Sequence, residues 1–223
     1  MILSKLVQAV QSQSEAPREA QSDLPRSPQG NSVDGRSARR ERGRAAVLSA
    51  VLSLFDEGDL RPSTEVVVTR SGISNASLFR YFASLDDLYR AAFDEQIARA
   101  EHVARIVGVD DMDLDGRIAA FVSGRIEVYA SVVGVGRMAR ARAIDDPGIA
   151  RNLDRARSRW LAQVRAVFRP ELTGMSRSRA QEVAATIDAV VSFESWDLLV
   201  NARGLANSAV ERHWATAVRA LLA

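Results

Sequence analysis

The sequence predicts an all-α fold, a three-helix N-terminal unit followed by a larger helical domain, from three observations. Apolar residues recur at helical spacing from Val47 to the C-terminus. Alternating Val/Ile/Thr runs and Asn-Gly hairpin signals are absent. Glycine and proline fall between the periodic segments, at Gly58, Gly72, Gly108, Pro147, Pro170 and Gly204. The 223 residues suffice for one small and one larger domain.

Residues 11 to 38 are rich in Gln, Ser, Pro, Gly and charge. They lack the apolar surface to offset ordering entropy, so residues 1–38 are expected to be a disordered extension. The first helix is expected from Arg44 to Phe55, with Val47, Val51, Leu54 and Phe55 on one face and Glu57-Gly58-Asp59 ending it. Immediately before it, residues 36–44 carry five Arg (Arg36, Arg39, Arg40, Arg42, Arg44) against one Glu, in a chain whose net charge is only +2. Such an arm can track phosphates or enter a minor groove; a solvated arginine tail is the alternative reading.

Residues 63–89, STEVVVTRSGISNASLFRYFASLDDLY, read as two short helices, a glycine turn between them and the capped start of a third. Ser63 or Thr64 can cap the first. Gly72 suits the reversal, and Ser74 can cap the second, which buries Leu78 and Phe82 at i, i+4. Ser84 with Asp87 makes a capping-box-like opening for the next helix. This is the layout of a helix-turn-helix, whose second helix enters the DNA major groove. Asn75, Ala76, Ser77 and Arg80 are the candidates for base contacts, and Thr64, Ser74, Tyr81 and the arginine arm for phosphates. Phe79 stands among them as an aromatic without a hydroxyl.

Residues 39 to 90 resemble the DNA-binding domain of the TetR family of bacterial transcriptional regulators. The resemblance rests on Leu54-Phe55-Asp56-Glu57-Gly58, Ser63-Thr64, Gly72-Ile73-Ser74, Ser77-Leu78-Phe79-Arg80-Tyr81-Phe82 and Ser84-Leu85-Asp86-Asp87-Leu88-Tyr89, in that order and spacing. Three positions depart from the family pattern: Phe79 stands for the usual Tyr, Leu85 for a frequent Lys, and Val68 for a small Ala. The resemblance implies a DNA-binding domain over 39–84 and a ligand-binding and dimerisation domain over 85–223. It also implies a homodimer on operator DNA, and a repressor released by a small lipophilic effector.

In the second domain, helices are expected at Leu85 to Val107, Arg117 to Val133, Ile149 to Phe168, Arg177 to Ala202 and Ser208 to Leu222, the last capped by Asn207. Val183, Ile187, Val190 and Val191, then Val210, Trp214, Val218 and Leu221, give the last two wide apolar faces. They are read as the dimer interface, with monomer core as the alternative. Pocket candidates, chosen as large apolar side chains with a few polar groups, are His102, Ile106, Phe121, Arg125, Tyr129, Met138, Trp160, Val164, Phe193 and Trp196.

Other classes are disfavoured. Zero Cys removes disulfides and thiol chemistry, and neither His102 nor His213 has a metal-ligand spacing, so no metal or cofactor is expected. Gly134-Val135-Gly136-Arg137-Met138-Ala139 fits G-x-G-x-x-A, but the residues before it read as helix rather than strand. Those glycines are read instead as a helix break or a close helix contact. No nucleophile with a partner base and no phosphate loop is present, so an enzyme is not expected. An all-α interaction bundle or enzyme with a merely structural helix trio is the alternative. The lack of a long apolar stretch or a convincing signal peptide predicts a cytoplasmic protein.

Overall fold

The computed structural model describes residues 31–103, 106 and 108–223, and all its regular elements there are helical. The chain divides into residues 1–38, of which only the last eight are described, and residues 39–223. Helix α1 runs Asn31–Asp56, α2 Thr64–Ser71, α3 Asn75–Tyr81 and α4 Leu85–Val103. After a 3-10 turn at Val109–Asp111 come α5 Leu114–Ser131, α6 Val133–Arg142, α7 Pro147–Val167 and α8 Arg169–Thr173. Helices α9 Arg177–Val190 and α10 Phe193–Asp197, a π turn at Leu198–Ala202 and α11 Asn207–Leu222 complete the chain.

Helix α1 reaches into the stretch expected to be disordered, starting at Asn31 rather than Arg44. Its core-facing half supplies a formed nucleus, and the good helix formers Ala, Arg and Glu of residues 36–46 extend it at little cost. The exposed residues 35–42 of α1 carry none of the burial that would otherwise be required. Residues 1–30 lie outside the described residues.

Val47, Val51, Leu54 and Phe55 of α1, Val67 of α2, Leu78 of α3 and Phe82 just after it close a small core against Leu88 and Tyr89 of α4. Each such side chain contributes about 1.5–3 kcal/mol when fully buried. Tyr89 adds a ring contact with Phe55 and donates its hydroxyl to the Pro62 carbonyl at 2.6 Å. Burial pushes its phenol pKa up to about 12.

The larger domain is organised around α5, which packs on α11, α4, α6 and α10, while α7 packs on α9, α6 and α4. Gly134 and Gly136 lie inside α6, and the break between α5 and α6 falls just before them at Val132; of the two readings of these glycines, the close helix contact is the one seen. Two expectations change here. The expected helix from Arg177 to Ala202 is broken at Val191, because the Ser192 hydroxyl accepts the Ser195 N–H and starts α10 afresh. Asn207 is not the cap of α11; Ala206 holds that position, and the Asn207 side-chain oxygen accepts the Trp196 indole N–H at 3.1 Å.

The apolar faces of α9 and α11 are also corrected. Val183, Ile187, Val191, Val210, Trp214 and Val218 are at most 2% exposed in the single chain. They form the packing of α9 and α11 on each other and on α5 and α7, so they present no surface to a second copy. Of the expected interface only Val190 and Leu221 are partly exposed. Among the described residues no single helix is long and apolar enough to cross a membrane.

Candidate DNA-reading helix and interior cavity

The α2–α3 unit is set by its caps. The Ser63 hydroxyl accepts the Val66 N–H, Gly72 ends α2 at φ 67° with its N–H on Val68 O, and the Ser74 hydroxyl accepts the Ser77 N–H. A side chain at position 72 would strain that left-handed backbone, which explains the glycine. Thr64 is therefore the first helical residue and Ser63 the cap. Arg70 makes two hydrogen bonds with Glu57, at 2.6 and 2.8 Å, tying α2 to the end of α1.

With Leu78 turned inward, α3 exposes Asn75, Ala76, Phe79 and Arg80 on its outer side, Phe79 at 45%. Ser77 is half-buried, and its hydroxyl accepts from Arg80 and bonds Ser74. Arg80 also lies over the Tyr81 ring, 5.3 Å from its centroid. Its guanidinium is thus held against its own helix by contacts that water or a base edge could replace. Tyr81 packs so closely on α1 that a methyl at Gly43 would overlap its ring, which makes Gly43 a positioning residue that motif reading missed. Arg44, expected in the phosphate arm, stacks over Phe82 at 5.3 Å. Arg36, Arg39, Arg40 and Arg42 are exposed along α1.

The second site is a cavity of about 50 Å³ between α4, α5, α6, α7, α9 and α10. Its walls include Phe93, Ile97, Val128, Val132, Leu153 and Ala156, with the aromatic rings of Tyr129, Trp160 and Phe193. Of the expected pocket residues, Arg125, Tyr129, Trp160 and Phe193 meet there. Phe121, Met138, Val164 and Trp196 are buried in the surrounding core instead. Ile106 packs against the core without lining the cavity, and the side chain of His102 lies outside the described residues.

Arg125 is the central polar group, 1% exposed. Its Nε donates to Gln163 at 3.0 Å, one terminal nitrogen to the Tyr129 hydroxyl at 2.9 Å and the other to the Trp160 carbonyl at 2.7 Å. The guanidinium lies over the rings of Phe121 and Trp160, 5.0 and 4.7 Å from their centroids. The Tyr129 hydroxyl in turn donates a hydrogen bond to the Val191 carbonyl at 3.0 Å. Burial raises the Tyr129 phenol pKa, and burial likewise raises the Asp188 carboxyl, with Arg125 pulling the other way.

At the rim, Glu194 of α10 accepts from Arg140 of α6 and Arg157 of α7, both at 2.9 Å. Burial alone would raise the Glu194 pKa, but the two arginines outweigh it and bring it to about 2. Arg140 also stands 4.0 Å from the Phe193 ring centroid. The rim charges were missed because an arginine or glutamate on a helix reads as solvated face.

Helix α6 lies between the two sites. A Cβ at Gly136 would overlap the Phe193 ring, and a Cβ at Gly134 would overlap the backbone at Phe55 and Asp56, the end of α1. Burial raises the Asp56 carboxyl pKa, offset in part by the Gly134 backbone N–H. At its other end Arg142 pairs with Asp86 of α4 and covers the Tyr89 ring at 4.9 Å. Arg61–Asp145 and Arg90–Asp146 pairs, at 3.0 and 3.1 Å, add two more ties across the same boundary. Asp146 itself opens α7, its carboxylate accepting the Gly148 and Ile149 N–H groups. Among the described residues no three acidic or histidine side chains are grouped to hold a metal ion.

A capped helix-turn-helix followed by a cavity-bearing helical body, with the short helix α6 packed between the two sites, defines a two-part all-α fold. More narrowly, it is the fold of the TetR-type regulators. A transcriptional regulator from Rhodococcus sp. Rha1 superposes with a TM-score of 0.65 at 18% identity, covering 82% of this chain and 95% of that one. A candidate TetR-family regulator from Rhodococcus sp. gives 0.61 at 21% identity, covering 82% and 100%. A TetR-like regulator from Rhodococcus sp. RHA1 gives 0.58 at 15% identity, covering 90% and 96%. No protein-family model and no curated protein matches the sequence.

Proposed function

We propose that this protein is a DNA-binding transcriptional regulator, a homodimeric repressor that leaves its operator when a small, largely apolar effector enters the cavity. The observation that carries this reading is the position of α6. Two residues apart, Gly136 touches the cavity wall at Phe193 and Gly134 touches the end of α1. A ligand that displaces Phe193 pushes on the helix that abuts the DNA-reading unit, and differential affinity for the two positions of α6 supplies the coupling.

In this reading Asn75, Ala76, Ser77, Phe79 and Arg80 meet base edges, the Phe79 ring against a thymine methyl. Thr64, Ser74, Tyr81 and Arg36, Arg39, Arg40, Arg42 and Arg44 hold phosphates and set orientation. A dimer supplies the second recognition helix that a palindromic site needs. The surface left for it by α9, the π turn and α11 includes Val190, Leu221 and the half-exposed Leu198.

The test is binding of the purified protein to its own upstream DNA, against scrambled competitor, over a salt series. Tight binding to a short palindrome by a dimer, with a steep salt slope, is the expected outcome. Equal, weak binding to both DNAs, together with no enrichment of any sequence from a genomic fragment pool, refutes the reading.

A further inference from the structure

We infer that the cavity ligand is an organic anion: a carboxylic acid whose small ring or branched apolar body sits among the aromatic walls and whose carboxylate docks on Arg125. This rests on reading the cavity as the effector site. Two chemistries compete for a pocket with aromatic walls and buried charge. An aromatic cage with nearby carboxylates suits an ammonium ligand, whereas a buried guanidinium suits a carboxylate.

The geometry decides between them. The faces that would receive a ligand cation are already covered by the protein's own: Arg125 lies over Trp160 and Arg140 over Phe193. The rim carboxylate is equally committed, since one oxygen of Glu194 takes hydrogen bonds from both Arg140 and Arg157. Three arginines and two acids line the cavity, so an added cation would meet an excess of like charge.

Arg125 differs from the rim pair. Its three hydrogen bonds end on a side-chain amide, a phenol and a backbone carbonyl, all neutral acceptors. The nearest carboxylate, Asp188, stands at 3.6 Å, well beyond the 2.7–2.9 Å of a charge-assisted hydrogen bond. A guanidinium 1% exposed is thus left with a long and incomplete counter-charge, a costly state in a low-dielectric interior. Phe121 and Trp160 stack on it, and each of its nitrogens already donates once. Of its five N–H groups, the second on each terminal nitrogen remains for a carboxylate, on the side where Asp188 now stands at 3.6 Å.

Size narrows the class. About 50 Å³ of water-centre space corresponds to roughly four waters, enough for a body of about six to eight heavy atoms. Ile97, Val128, Val132 and Leu153 make the rest of that surface apolar. Benzoate and phenylacetate are therefore suitable probes, with benzamide and phenylacetamide as neutral isosteres and benzylamine as the cation.

Calorimetry and thermal shift on the full chain, without DNA, measure these five probes against wild type, Asp188→Asn and Arg125→Gln. At least one acid is expected to bind at least tenfold more tightly than its amide, with benzylamine silent. Asp188→Asn removes the competing carboxylate and should tighten acid binding several-fold, a gain that a damaged fold would not produce. Arg125→Gln should abolish the preference for acid over amide. Binding of benzylamine that Asp188→Asn destroys would overturn the inference, as would absence of saturable acid binding to wild type and Asp188→Asn at millimolar concentration. Acid binding that leaves operator affinity unchanged breaks the proposed function and leaves this inference intact; operator binding without acid binding does the reverse.

Discussion

Helix α3 has seven residues, and its limits are set by neighbours in the chain: Gly72 stops the helix before it, Ser74 caps it, and Phe82 ends it. The cavity is built from the other extreme, with side chains from α4, α5, α6, α7, α9 and α10 converging over about a hundred positions of sequence. In α3 the residues placed for contact point outward and are backed by a core made elsewhere. In the cavity the same residues, above all Arg125 and Tyr129, are contact surface and core at once. A surface of the first kind tolerates change with little loss of fold, while the second cannot be altered without disturbing packing. Gly134 is where the two meet, and it should be the most sensitive position of all.

Gly134→Ala is expected to have the largest effect. The added methyl meets the backbone of Phe55 and Asp56, which cannot rotate away as a side chain could. Overpacking of that kind costs about 1–3 kcal/mol, and an immobile neighbour places this case near the top of that range. Urea denaturation measures the loss, and operator titration should fall with it even though no DNA-facing residue has changed. A variant as stable as wild type with unchanged operator affinity would remove α6 from the coupling.

Arg80→Ala probes the other side of the comparison. Arg80 is exposed and, among the described residues, bonds Ser77 and Tyr81 of its own helix, so the denaturation midpoint should hardly move. Affinity for the cognate operator should fall by about 2 kcal/mol, with relaxed preference at one base position. Equal losses on cognate and scrambled DNA, read by fluorescence anisotropy, would demote Arg80 to a phosphate contact.

The contrast in construction also explains what the sequence could convey. Gly72, Ser74 and Ser84 are legible directly, and the first cap to within Ser63 or Thr64, because a cap acts within three or four residues of itself. The stripes on α9 and α11 were legible as buried, but helical periodicity names a buried face without naming its partner. Val183, Ile187, Val210 and Trp214 proved to face α5, α7 and each other within one chain. Arg125, Tyr129, Trp160 and Phe193 line the cavity and are among the candidates that size and mixed polarity select from the sequence. The same criterion also selects Phe121, Met138, Val164 and Trp196, which are core. Phe93, Asp188 and Glu194 were not among those candidates, since only tertiary packing brings them to the same space. The G-x-G pair carried a real signal, close approach, whose two targets lie about 80 and 60 residues away in opposite directions.

Tyr129→Phe separates packing from polarity inside the cavity. The ring contacts with Phe193, Trp160, Trp196 and Trp214 survive, while one donor of Arg125 and the Val191 carbonyl lose their partner. The expected loss is about 1 kcal/mol in stability, on the scale of a buried hydrogen bond. Operator affinity without ligand should stay near wild type. A loss several times larger would mean that the hydroxyl holds α5 to the α9–α10 break, making the break itself part of the fold's support.

The smallest effect is expected at the rim. Glu194→Gln keeps the shape of the latch and removes its charge, and because the side chain is 49% exposed, solvent screening limits the loss to roughly 0.5 kcal/mol at neutral pH. Its sign is fixed by the depressed pKa. The folded state holds Glu194 near 2 against an ordinary 4.5, so the stabilisation is complete above about 4.5 and disappears as the pH falls toward 2. Urea midpoints measured from pH 6 to pH 2.5 should therefore drop more steeply for wild type than for Glu194→Gln, the curves converging at the acid end. Parallel curves would show that Arg140 and Arg157 gain nothing from the carboxylate, and the rim of the cavity would then be an open surface like that of α3, rather than a closed one.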